Sequence, residues 1–101
     1  MSNTRFKPFS LGQIVSTPGA LHACPADIIF NALTRHALGD WGCVCDEDAE
    51  SNDAATHGGS RVLSAYQIDP IQPSEGHGAN TLWIITEADR SVTTVLLPSE
   101  Y

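Results

Sequence analysis

Four side chains of this sequence have the types that a metal-free ribonuclease uses. His36 could serve as a general base and Tyr66 as an orienting or acid group, while Arg61 and Arg90 could hold a phosphate. A plainer interpretation makes His36 a residue stabilised by the dipole at the C-terminal end of a helix. The same interpretation makes the two arginines ion-pair partners of nearby acids. Both interpretations stay open at this point.

The overall charge weighs against a nuclease. The chemistry of His36 and the arginines, on a small domain with helices ahead of its sheet, resembles that of toxins of the RelE and barnase class. Those toxins are typically basic. This chain has 12 acidic and 5 basic residues and a net charge of −7, and phosphate contacts need clustered Lys and Arg. We therefore expect no direct nucleic-acid partner, and instead a protein partner with a basic surface.

Histidines and cysteines could in principle form a zinc site. The candidates are His22, Cys24, Cys43, Cys45 and His57. Paired zinc-binding cysteines usually have two to four residues between them, whereas only one residue lies between Cys43 and Cys45. We expect these thiols to be packing residues, and we predict no metal and no cofactor. Three cysteines without a secretory signal indicate a cytoplasmic protein with free thiols, and no apolar run is long enough to span a membrane.

The densest charge is a run of five carboxylates within eight residues, namely Asp46, Glu47, Asp48, Glu50 and Asp53. Such a run is usually a solvated helix surface. The sharper hypothesis is a phosphate-mimicking surface that docks into a basic groove of another protein, with charge steering the encounter. It does not have the glycine and terminal glutamate of a calcium loop. Asp89 and Arg90, at the tip of a C-terminal hairpin, complete the candidate partner-binding residues.

The first half of the chain is predicted to hold an arm, a strand, a turn and two helices, at residues 1–10, 11–15, 17–19, 25–39 and 46–56. Phe6 and Phe9 would pin the arm to the body. Pro25 suits the first position of a helix and Gly39 a helix stop, because proline lacks an N–H and glycine tolerates the left-handed conformation. Asp46 can cap the second helix.

The second half is predicted to be a meander of strand 61–68, flexible loop 69–80 and terminal hairpin 82–101, with a polar break at 87–91. Both hairpin strands carry apolar residues on both faces, so at least one should be central. The predicted fold is a single α+β domain over residues 1–101. It has an antiparallel sheet, formed by a short N-terminal strand and a three-stranded C-terminal meander, with two helices packed on one face.

Four segments, at 11–21, 33–42, 61–66 and 82–101, carry a resemblance to a known family, and two stretches within them are the most specific. They are Arg35-His36 with Gly39-Asp40-Trp41-Gly42, and the hairpin LWIITEADRSVTTVLLPSEY at 82–101. The chain resembles a family of small bacterial proteins found on plasmids and integrated elements, often labelled as type I restriction methyltransferase subunits. That label does not suit 101 residues, which leave no room for a cofactor-binding α/β domain and contain no Asn-Pro-Pro-Tyr motif. The sequence departs from the family pattern in a second helix without lysines and a longer 69–80 loop.

The resemblance implies an accessory protein of a mobile element, and such proteins commonly antagonise host defence. We therefore expect a non-catalytic inhibitor of the anti-CRISPR or anti-restriction kind. Its partner would be a host protein or ribonucleoprotein complex with a basic surface in the cytoplasm. Two alternatives stay open: the ribonuclease toxin, and a homodimer whose edge strand pairs with its twin.

Overall fold

The computed structural model of the chain describes residues 6–101, so the first five residues of the predicted arm lie outside it. The helices are α1 (Pro18–Ala23), α2 (Ala26–Ala37) and α3 (Asp46–Gly58). The strands are β1 (Gln13–Ser16), β2 (Val62–Gln67), β3 (Thr81–Thr86) and β4 (Val92–Leu96), and a 3-10 turn follows at Pro98–Glu100. The mixed α and β content agrees with the predicted class.

The four strands form one sheet in the order β1-β4-β3-β2. Strands β2, β3 and β4 make the expected antiparallel meander, in which Ile84 lies opposite both Ser64 and Val95. The expectation of a purely antiparallel sheet is wrong, because β1 pairs in parallel with β4 and places Ile14 opposite Thr93. Parallel neighbours need a long crossover connection, which the three helices and two strands between them supply. The terminal hairpin is therefore central, and β1 and β2 are the two edges.

Helix α1 corrects the prediction of a turn at 17–19. The Thr17 hydroxyl accepts a hydrogen bond from the Ala20 backbone N–H at 3.1 Å, and Pro18 lies in the first turn. Threonine as N-cap and proline at the first position are helix-start signals that the same residues share with turns. Within residues 6–101 the chain consequently has three α-helices rather than two. None of these helices has the length and apolar character that crossing a membrane requires.

One face of the sheet carries α1 and α2. Leu82 and Ile84 of β3 and Val95 of β4 are buried there against Ala20 and Ala32 of the two helices. Helix α3 lies beside β2, where its Ala55 joins Val62 in a second buried cluster. Small alanines on the inner sides of the helices allow a close approach to the sheet, so a short chain can still bury both clusters.

The connection between β2 and β3 lies against part of the opposite face. Trp83 points to this face, because it alternates with its neighbours on β3. Its Nε1 donates to the Gly76 carbonyl at 2.8 Å, and its ring meets Tyr101 edge-on at 5.6 Å. The Asn80 side chain closes the connection by donating to the Asp69 carbonyl at 3.1 Å. The 69–80 loop thus packs on the sheet through hydrogen bonds of its own.

Aromatic side chains hold the described part of the N-terminal arm. The ring of Phe6 lies 6.3 Å from that of Trp41 in a T-shaped contact, and Phe9 lies 5.5 Å from the ring of His36. The Lys7 backbone N–H donates to the Thr56 hydroxyl at 2.8 Å. The arm therefore crosses from α3 to β1 over the aromatic cluster.

Candidate functional site

His36, the candidate general base, is buried within a chain of hydrogen bonds. Its Nε2 lies 2.8 Å from Thr86 Oγ1, which lies 2.7 Å from Thr93 Oγ1, and Thr93 donates to the Leu11 carbonyl at 2.7 Å. Because a carbonyl only accepts, Thr86 must donate to Thr93, and the Nε2–H of His36 must donate to Thr86. The unprotonated Nδ1 then accepts from the Ser64 hydroxyl. The imidazole thereby ties α2 to the three strands of the meander.

The environment of His36 keeps its ring neutral. Burial lowers the pKa of His36 to about 4, and the positive charge of Arg90 acts in the same direction. A general base must reach a proton of the substrate. His36 is 0% exposed, and both of its nitrogens have internal partners. The hydrogen bonds of His36 therefore stabilise the fold and leave neither ring nitrogen available to a substrate.

Arg90 is directed into the protein rather than toward a partner. Its guanidinium donates to the carbonyls of Ala55, Ser60 and Glu87 at 2.9, 2.7 and 3.1 Å. It also lies 5.5 Å from the ring centre of Phe9. The Ala55 carbonyl belongs to the last turn of α3, where a positive charge is favourable. Arg90 thus joins the hairpin tip to the end of α3.

The remaining members of the ribonuclease set lie apart. Tyr66 is buried and donates its hydroxyl to the Asp40 carbonyl at 2.8 Å, and burial raises its pKa. Arg61 is exposed and donates to the Tyr101 hydroxyl at 2.6 Å. The four residues therefore do not meet at one solvent-facing site, since His36 and Tyr66 are both in the core.

The segment from Arg35 to Gly42, on which part of the expected resemblance rests, makes its contacts within the fold. Arg35 and Asp40 form an ion pair at 2.7 Å, and the hydrogen bond from Arg35 lowers the pKa of the Asp40 carboxyl. Asp40 also accepts from the Gly42 N–H at 3.1 Å. Trp41 is buried among the aromatic rings. These contacts explain why a strongly patterned segment need not mark an active site.

Four of the five acids on α3 form an exposed surface, which we call the acidic face: Asp46, Glu47, Asp48 and Glu50. Within residues 6–101, none of the four joins an ion pair. The first three lie in the first turn of α3, where they also favour the helix dipole. The acidic face is therefore compatible with both a binding role and a helix-stabilising role.

Two predicted partner-binding acids have structural contacts. Asp53 is half-buried and accepts a hydrogen bond from Trp41 Nε1 at 2.9 Å, so it fixes the indole against α3. Asp89 is exposed and accepts from both the backbone N–H and the hydroxyl of Ser91 at 3.0 and 2.6 Å. These hydrogen bonds lower the pKa of Asp89, so its carboxylate stays ionised to a lower pH.

The histidines and cysteines of the zinc hypothesis do not converge. Cys24 is buried between α1 and α2, where desolvation raises its pKa, while Cys45 is exposed at the start of α3. In the part of the chain that the structure describes, no group of three His, Cys, Asp or Glu side chains could hold a metal ion.

The outer edge of β2 is closed by the chain itself. The Asn52 side chain of α3 accepts from the Leu63 N–H at 3.2 Å and donates to the Leu63 carbonyl at 2.7 Å. Two residues further along β2, the Ala65 N–H donates to the Trp41 carbonyl, and the Ala65 carbonyl accepts from the Cys43 backbone N–H. A Cβ added at Gly42, whose φ is +74, would lie 1.9 Å from the Ala65 oxygen. Glycine therefore permits this close approach.

By contrast, the outer edge of β1 is open among residues 6–101. Gln13 donates to the Ser91 carbonyl and Thr17 to the Val95 carbonyl, both at 3.0 Å. In a parallel ladder, alternate residues bond the neighbouring strand, so the backbone groups of Ile14 and Ser16 point outward. In the described chain no second strand pairs with β1. Its apolar side chains are accessible, since Ile14 is 50% and Val15 38% exposed.

Comparison with models of protein families, with curated proteins and with solved structures gave no match. The functional interpretation therefore rests on the residues of this chain and on the resemblance expected from its motifs. Sequence reasoning missed the closing role of Asn52 and the open edge at β1. The signal for the first was an amide at an inward-facing position of an otherwise alanine-lined helix. The second depends on a pairing between residues about eighty positions apart, which has no local signal.

Proposed function

We propose that this protein is a non-catalytic acidic binding module that attaches to a basic surface of another protein and inhibits it. The observation that carries the proposal is the acidic face, where four exposed carboxylates form no ion pair within residues 6–101. Such carboxylates create a local negative potential, which accelerates encounters with a positively charged partner. The net charge of −7 extends this potential beyond the face itself.

The resemblance to proteins of mobile elements supports a partner in host defence. The inhibitor would bind a CRISPR or restriction complex, or another ribonucleoprotein or protein with a basic groove, in the cytoplasm. Complexes that bind nucleic acid present clustered Lys and Arg. An acidic protein face can occupy that groove without any catalytic group.

The ribonuclease alternative has less support from the geometry. A metal-free ribonuclease needs an accessible base beside its phosphate-binding arginines. His36 is buried with both nitrogens hydrogen bonded, and Arg90 binds three backbone carbonyls. Arg61 is exposed, but it lies away from the core positions of His36 and Tyr66.

Phage infection of bacteria with an active CRISPR or restriction system tests the proposal. The binding variant is Glu47→Lys with Asp48→Lys, and the control is Asp27→Lys with Glu75→Lys. Both pairs change the net charge equally. The binding pair replaces two first-turn acids of α3, and the control replaces one first-turn acid of α2 and one acid of the 69–80 loop. Wild type and control should protect the phage, while the binding variant should restore host defence. Equal protection by the binding variant would mean that the acidic face is only solvated surface.

Growth of the host separates the two functional classes in the same experiment. An inhibitor of defence leaves uninfected cells growing normally. Growth arrest by the wild-type protein alone would contradict the inhibitor and favour the ribonuclease. The proposal would also be contradicted if the wild-type protein protected phage against none of the defence systems tried.

A further inference from the structure

The two edges of the sheet differ, and the difference indicates a second binding surface. The β2 edge is closed by Asn52 and the 41–43 backbone, whereas the β1 edge presents unpaired backbone groups in the described chain. We propose that β1 binds an extended segment of a partner protein as a fifth strand, and that this segment carries basic residues flanking an apolar centre. The surface is separate from the acidic face and does not depend on it.

The backbone of β1 can accept such a strand without rearrangement. The outward groups of Ile14 and Ser16 offer two N–H donors and two carbonyl acceptors in one row. Exposed edges of this kind are usually blocked by charged residues, proline or a bulge. The Gln13–Ser16 strand has none of these, and its two central residues are β-branched. Main-chain hydrogen bonds to an added strand would supply affinity, and its alternate side chains would meet Ile14 and Val15.

Charge at the two ends of β1 selects the chemistry of the incoming segment. At one end, the Ser91 carbonyl that bonds Gln13 belongs to the turn held by Asp89. At the other end, Glu100 accepts a hydrogen bond from the Thr17 hydroxyl at 2.6 Å. Both carboxyls are exposed, and hydrogen bonds to their oxygens lower both pKa values. An uncharged four-residue edge with an anion at each end fits a strand with a cation at each end.

A second copy of the chain fits this edge less well. Antiparallel pairing of two β1 strands about a two-fold axis would place the Asp89 end of one copy against the Glu100 end of the other. Like charges would then oppose each other at both ends, in addition to a net charge of −7 on each copy. Charge complementarity therefore favours a basic partner segment.

The test is an NMR titration of the full chain with blocked hexapeptides. The probe has lysine at both ends and alternating valine and threonine between them, and the control peptide has glutamate at both ends. The lysine peptide should shift the amide signals of Ile14 and Ser16 and slow their hydrogen exchange. The glutamate peptide should bind at least about tenfold more weakly.

Two matched variants check the role of the flanking charges. Asp89→Asn with Glu100→Gln keeps the hydrogen-bond acceptors of both side chains, and should weaken the lysine peptide about fivefold. Asp27→Asn with Glu75→Gln removes the same charge at two exposed positions outside both proposed surfaces and should leave the affinity unchanged. Equal affinity for the two peptides, shifts confined to other residues, or no shift at Ile14 and Ser16 with millimolar peptide would overturn the proposal. A dimer in sedimentation that protects Ile14 and Ser16 would overturn it in favour of a second copy.

Discussion

The side chain of Asn52 bonds both backbone groups of Leu63, with its oxygen 3.2 Å from the Leu63 nitrogen and its nitrogen 2.7 Å from the Leu63 oxygen. A carboxamide has the same donor and acceptor arrangement as a peptide group, so Asn52 replaces a neighbouring strand at this point. The amide is buried, and α3 is held to the sheet edge by it. One hydrogen-bonded side chain therefore both closes an edge and fixes the helix that carries the acidic face.

Replacing Asn52 by alanine should destabilise the protein by about 2 kcal/mol. The change removes the side chain that bonds the Leu63 N–H and carbonyl beneath α3, and unsatisfied backbone groups there are costly. Urea unfolding measures the loss. Asn31→Ala on the exposed side of α2 is the matched control, and it should change the free energy of unfolding by less than about 0.5 kcal/mol. Equal effects of the two variants would contradict the closing role of Asn52.

The stability of the protein should fall as the pH is lowered from about 6.5 to about 4. The folded-state pKa of His36 lies below the ordinary value of 6.5, so the unfolded chain binds the proton first. The stabilisation is complete above pH 6.5, declines through that window and is lost below about 4. The shift corresponds to a loss of about 3 kcal/mol. Urea unfolding at a series of pH values measures it.

Two variants separate His36 from the other ionisable groups in this pH series. His36→Gln should lower stability at pH 7 and remove most of the dependence between pH 6.5 and 4.5. His22→Gln, at an exposed position on α1, should keep the wild-type dependence. A His36→Gln protein with the wild-type slope would mean that other groups cause the dependence.

Replacing Arg90 by lysine should destabilise the protein by about 2 kcal/mol although the charge is retained. A single ammonium group cannot reproduce the planar fork that reaches three carbonyls from two nitrogens. Thermal unfolding should show a fall of about 10 °C in Tm. The matched change Arg61→Lys, at an exposed side chain, should lower Tm by no more than a few degrees. A similar small effect of Arg90→Lys would show that the carbonyl contacts contribute little.

Local patterns predicted most of the elements. The β-branched runs at 81–86 and 92–96 and the mixed run at 62–67 form the meander, and proline and glycine mark the limits of α2. The parallel pairing of β1 with β4 was not predictable, because it depends on the path of the whole chain. Helix α1 was missed, since a Thr-Pro-Gly sequence is shared by turns and by helix starts.

The candidate site was predicted less completely than the fold. The sequence identifies His36, Tyr66 and Arg90 as chemically capable side chains, but it does not tell whether they face solvent or the core. The structure places all three in internal hydrogen bonds. The exposure of the acidic residues at the start of α3 was easier to predict, because a small core cannot bury a dense run of charged side chains. Asp53 differs from them because the indole of Trp41 reaches it.

Hydrogen exchange of backbone amides in the free protein tests the closed and open sheet edges most directly. At the closed edge, the Leu63 and Ala65 amides donate to Asn52 and to the Trp41 carbonyl. They should exchange only through large-scale unfolding. The amides of Ile14 and Ser16, at the open edge, should exchange orders of magnitude faster than those of Gln13 and Val15 on the same strand. Protection of Ile14 and Ser16 equal to that of Leu63 and Ala65 would contradict an edge left for a partner.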